Sequence, residues 1–113
     1  MPLFVVLMTE NDNAWGRLTD AEQKSLLTKY YAWIAELKAG DRMRGGAPIG
    51  EPGRVLRSVE GQIVDEPYTA TKDVLTGYFT IEATDLADAT TVARGCPALF
   101  HGETVIVRPV GHG

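Results

Sequence analysis

Asp65 and Lys72 stand seven residues apart around a Glu66-Pro67 turn, ahead of Gly77, and they are the acid and base whose types and spacing suggest a polar pocket. A partly buried carboxylate beside an ammonium can accept and return a proton, the elementary act of general acid–base catalysis. Tyr68 and Tyr78 fall in the same segment, Asp65 to Phe79, and offer aromatic walls with a hydroxyl each. A plainer account also fits, in which Asp65 caps the turn, Lys72 is a solvated loop charge and the tyrosines are packing. On the residues alone both accounts stand.

The remaining reactive groups sit at less telling positions. Cys96 is the sole thiol; it follows a helix, where the dipole disfavours a thiolate, and no histidine lies within four residues, so it reads as a small buried hydrophobe. His101, between Phe100 and Gly102, lies in a loop before the last strand, either at the surface or folded back towards the pocket. His112 belongs to a Gly-His-Gly tail expected to fray. Asn11, Asn13, Gly16 and Glu22 imitate part of a calcium loop, but Trp15 occupies a position that needs an oxygen ligand, so no metal site is expected. Gly45-Gly46-Ala47-Pro48-Ile49-Gly50 lacks the lysine and hydroxyl of a phosphate-binding loop and the dinucleotide spacing, and no cofactor is expected.

Composition narrows the function classes. The chain has 113 residues, 44% hydrophobic and 23% charged, the profile of one ordinary globular domain. A net charge of −4 without any dense run of Lys and Arg argues against a direct nucleic-acid ligand. The apolar run Leu3 to Met8 is far short of the roughly 20 residues of a membrane span and has no basic segment before it. The expectation is a soluble, cytoplasmic protein.

Elements must now be found to position these groups. Leu3 to Met8 reads as a strand apolar on both faces, followed by a polar turn region from Thr9 to Arg17. Thr19 and Glu22 form a capping box, and Leu26, Leu27, Tyr30, Trp33, Ile34 and Leu37 recur at helical steps, so a helix is expected from about Asp20 to Ala39, closed by Gly40 in a left-handed cap. Met43 to Ile49 is expected to pair at a sheet edge. Arg54 to Val59 and Gln62 to Asp65 flank Glu60-Gly61 as a hairpin that delivers Asp65 to a strand end. A strand over Thr76 to Ala83, a short helix capped by Asp85 and running to about Gly95, and a last strand over Thr104 to Val110 complete the chain. This order predicts an α+β fold: a ferredoxin-like antiparallel sheet with two helices on one face. The first and last strands look apolar on both faces, so the second sheet face calls for another copy, and a homodimer with sheets packed face to face is expected.

These landmarks resemble, over about Leu3 to Val110, the YCII-related proteins, in the branch named for an Asp-Gly-Pro-Phe (DGPF) motif. That motif stands here as Asp65, Glu66, Pro67 and Tyr68, followed by Lys72 and the pair Gly77-Tyr78. Ala14-Trp15, Gly46, Pro48, Cys96-Pro97 and Val107-Arg108-Pro109 also match the pattern. The resemblance implies a dimeric α+β barrel, a cleft at the Asp65 to Tyr78 segment, and a bacterial protein whose relatives are often encoded beside extracytoplasmic-function sigma factors. A His-Asp pair proposed for some relatives does not carry over, because no histidine precedes His101. Ala70 and Ala47 stand where the branch usually shows Glu.

Three functions therefore compete. The first is a homodimeric domain binding an unknown small molecule, with Asp65, Lys72, Tyr68, Gly77, Tyr78, Trp15 and His101 as site residues. The second is an enzyme of hydrolase, isomerase or lyase type using Asp65 as general acid or base. The third is a regulatory partner in sigma factor signalling.

Overall fold

A computed structural model describes residues 1–50 and 53–111; Pro52 of the glycine-rich loop and His112 of the tail lie outside them. Strand β1 is Leu3–Glu10, helix α1 Asp20–Ala39, β2 Met43–Pro48, β3 Arg54–Val59, β4 Gln62–Pro67, β5 Val74–Glu82, helix α2 Leu86–Ala93 and β6 Thr104–Pro109, with a 3-10 turn at Pro97–Phe100 before β6. Four strands form an antiparallel sheet in the order β2-β5-β1-β6, while β3 and β4 pair only with each other as a separate hairpin. No helix among the described residues is long and apolar enough to cross a membrane.

Period-two alternation decides which strand residues are buried. Phe4, Val6 and Met8 of β1 and Ile81 of β5 join Trp33 and Leu37 of α1 and Ala89 and Ala93 of α2 in one core, which Cys96 and Ala98 complete. Both helices thus cover a single sheet face. Cys96 is fully buried there, and burial pushes its thiol up to about 11, so it packs as a hydrophobe. On the opposite face Val5 and Leu7 lie beside Thr80 and Tyr78 of β5 and Arg108 and Ile106 of β6.

Local signals set the ends of α1. The Thr19 hydroxyl accepts from the Glu22 N–H at 3.1 Å and the Glu22 carboxylate accepts from the Thr19 N–H at 2.9 Å, the reciprocal capping box. The C-terminus departs from expectation. Gly40 keeps φ −84°, and Asp41 takes the left-handed position with φ 56°, so that the Arg42 N–H can reach the Leu37 carbonyl at 2.9 Å. Several strand limits also move, and β5 runs from Val74 to Glu82 rather than from Thr76 to Ala83. β1 continues through Thr9 to Glu10, because both residues pair with β5 across a bulge. β4 continues to Pro67, so Asp65 lies inside a strand rather than at its end. Glu60 and Gly61 both adopt positive φ, 50° and 81°, the backbone a two-residue hairpin needs.

One glycine is dictated by contact. Gly46 of the edge strand lies so close to β5 that a Cβ would fall 2.6 Å from the Tyr78 carbonyl oxygen. Only hydrogen fits at that spacing, and the strand can therefore close down on Phe79.

Candidate functional site

The sheet and α1 diverge towards the C-terminal end of β1, leaving a cleft of about 610 Å3. Its walls are apolar: Met8 from β1, Leu27, Tyr30 and Ile34 from α1, Leu75 and Phe79 from β5, and the β2 edge at Gly46 to Pro48. Trp15 from the β1–α1 loop closes one side. Polar side chains are few: Asn13 from the β1–α1 loop, and Glu10, Thr76 and Glu103. None of the described lining residues is a lysine or an arginine.

Each of these polar groups is held by a different element. Glu10 continues the inward register of Phe4, Val6 and Met8, and is only 5% exposed; its Oε2 accepts from the Trp15 N–H at 2.9 Å. Thr76 sits on β5, with its hydroxyl 3.2 Å from the Met8 carbonyl oxygen and also in contact with Glu103 Oε1. The 3-10 turn delivers the third group: the Ala98 carbonyl accepts from the His101 N–H at 3.4 Å and from the Glu103 N–H at 3.2 Å, folding both side chains inward. His101 Nε2 lies 2.6 Å from Glu103 Oε2, with side chains 6% and 5% exposed. The approach is off the ring N–H direction, and among the described residues neither ring nitrogen has an aligned hydrogen-bond partner, so the pair is a close polar contact rather than an aligned hydrogen bond. The Trp15 ring stands edge-on to His101 with centroids 6.3 Å apart.

Electrostatics follow from this crowding. Burial pushes the Glu103 carboxyl up from its ordinary value, and the nearby Glu10 adds to the rise, while the Thr76 hydroxyl and His101 oppose it. A hydroxyl has one proton to give, and Thr76 faces two oxygens. A protonated Glu103 resolves that conflict by donating to the Thr76 oxygen. Burial likewise pushes the Tyr30 hydroxyl up, so it remains neutral, set 3.7 Å from the Met8 sulfur. The cluster can store a proton and offer it to a bound molecule.

Of the residues singled out in the sequence, Trp15 and Gly77 line the cleft, and His101 stands behind Glu103. Asp65 lies elsewhere, on the β3–β4 hairpin with its side chain 56% exposed, accepting from Arg54 Nε at 2.9 Å. Tyr68 follows β4, its N–H bonded to the Gly53 carbonyl at 2.9 Å. Lys72 is exposed in the β4–β5 loop, which is tied to the β1–α1 loop by the Asp12 N–H to the Thr71 carbonyl and the Asp73 N–H to Asn11 Oδ1, both 2.7 Å. Tyr78 points to the sheet face opposite the helices, beside Leu7. Asp65, Lys72 and Tyr78 thus lie on different elements, and none of them lines the cleft. Glu10 and Glu103 were not singled out. Glu10 was masked by its polar neighbours after Met8, and Glu103 by its exposed-looking Gly-Glu-Thr context; the one available signal was His101, two residues before Glu103.

Comparison with known proteins agrees with this architecture. The YCII-related domain model matches residues 2–110. Among solved structures, 5-chloro-2-hydroxyhydroquinone dehydrochlorinase (TftG) from Burkholderia phenoliruptrix AC1100, in complex with 2,5-dihydroxybenzoquinone, is similar with a TM-score of 0.57 and 18% sequence identity, over 98% of this chain and 95% of that chain. At that identity the likeness speaks for the fold alone. No curated protein matches. With its α+β order, its antiparallel sheet and a family model spanning nearly its whole length, the chain belongs to the YCII-related family.

Proposed function

We propose that the protein is a small-ligand-binding domain acting as a homodimer, with the cleft between α1 and the sheet as its pocket. The observation that carries this reading is the cleft itself: about 610 Å3 between apolar walls that close on Glu10, Thr76 and Glu103. Its size falls within the roughly 300–1,000 Å3 of small-molecule sites, which combine apolar linings with a few convergent polar groups. The fold neighbour holds a single-ring compound, 2,5-dihydroxybenzoquinone, which supports the size class. A thermal-shift screen of ring-sized compounds tests the reading. A binder at 100 times its Kd should stabilise the fold by about 2.7 kcal/mol, and Leu27→Trp, which narrows the cleft from α1, should remove the gain. A screen in which no compound class shifts the wild type would remove the basis for it.

A second reading, proton-transfer catalysis, is favoured by the Glu103–His101 contact of 2.6 Å at the cleft. In it Glu103 is the general acid or base, and Asp65, ion-paired on the hairpin, is not. Glu103→Gln should then lower turnover by about 10²-fold or more, while Asp65→Asn leaves it unchanged. The opposite pattern would return the chemistry to Asp65.

A further inference from the structure

Glu10 is a carboxylate buried without a counter-ion. It is 5% exposed, it lines the cleft, and among the described residues its one hydrogen bond comes from the Trp15 N–H. A buried anion held by a single neutral donor is costly in an apolar wall, and a protein normally answers it with a cation. Among the described residues none is supplied: no Lys or Arg lines the cleft, and His101 is in contact with Glu103 instead. Whether His101 and Glu103 face each other as an ion pair or as a neutral pair, their charges cancel. One negative charge is left over, on Glu10.

The walls around that charge are aromatic. Trp15, Tyr30 and Phe79 all line the cleft, with Tyr30 and Phe79 stacked at 6.4 Å between ring centroids. Aromatic faces carry partial negative charge and attract an ammonium group, whereas they and Glu10 together repel a carboxylate or phosphate.

We propose that the cleft selects small organic monocations, amines carrying an apolar or aromatic body, with the ammonium group on Glu10 and the body against Trp15, Tyr30 and Phe79. The proposal rests on the cleft reading above and names the ligand class for it. Neutral ligands of the same shape gain the apolar contacts without the charge. Anions meet an uncompensated carboxylate instead.

Three shape-matched probes separate the outcomes: 2-phenylethylamine, 2-phenylethanol and phenylacetate, titrated calorimetrically into the full chain. The amine should bind at least about tenfold tighter than the alcohol, and phenylacetate should give no heat of binding. Glu10→Gln keeps an acceptor for the Trp15 N–H; it should cut amine affinity by about tenfold and leave the alcohol unchanged. Equal affinity for alcohol and amine, or tighter binding of phenylacetate, overturns the charge selection while leaving the cleft as a binding site. Failure of all three probes overturns the amine class, and the thermal screen then decides separately whether the cleft binds anything. The wild-type ranking carries the test if Glu10→Gln does not fold.

Discussion

Glu103 shows how a single side chain is set by its surroundings rather than by its own chemistry. Burial raises its carboxyl above the ordinary 4.5, and Glu10 pushes the same way. The folded protein therefore holds this proton more tightly than the unfolded chain does, and the stability so conferred is present in full below the ordinary value and lost as pH rises through the elevated one. Glu103→Gln keeps the neutral form at every pH and can still donate to Thr76. Relative to wild type, the variant's Tm should therefore rise between about pH 4 and about pH 7, as read from thermal melts at both. A wild type that gains on the variant over that interval would show that Glu103 is ionised in the fold and repaid by His101.

At the scale of elements, what could be read from the sequence was what depends on neighbours along the chain. Thr19 and Glu22 gave both residues of the capping box, and the apolar steps from Leu26 to Leu37 gave the helix, because these interactions are closed within a turn or two. Thr19→Ala should accordingly cost about 1 kcal/mol in a denaturant titration, with Thr19→Ser restoring most of it. Contacts made across the chain were not legible. Glu10 looked like the start of a loop until β5 was seen to pair with it, and His101 looked like a loop residue until the 3-10 turn folded it against Glu103. The same limit applies to Gly46, one of several glycines in a segment expected only to pair at a sheet edge. Its real constraint is the Tyr78 carbonyl across the ladder, so Gly46→Ala should destabilise by about 1–3 kcal/mol, whereas Gly50→Ala, with open space at its Cβ, should be close to neutral.

The whole molecule is a slab, 48 × 42 × 18 Å, and among the described residues both helices lie on one side of the sheet. On the bare side Tyr78 and Ile106 are 37% and 40% exposed on either side of Leu7, and on the hairpin Leu56 and Ile63 reach 64% and 70%. So much apolar surface on a 12.3 kDa chain supports the proposed homodimer, in which a second copy covers the bare face. Light scattering should give twice the chain mass for the wild type, and Ile106→Glu, which places a charge on that face beside Leu7, should give the monomer with its fold intact. A wild-type monomer at high micromolar concentration would contradict the dimer. The hairpin that carries Asp65 and the cleft that carries Glu10 and Glu103 are separate parts of this slab, and they can be told apart directly. Amide-resolved NMR, following the full chain as the tightest compound from the thermal screen is added, should move the signals of Glu10, Trp15, Gly46, Thr76, Gly77 and Glu103 and leave Arg54 to Pro67 in place. Shifts confined to the hairpin around Asp65, with the cleft signals unmoved, would contradict the account.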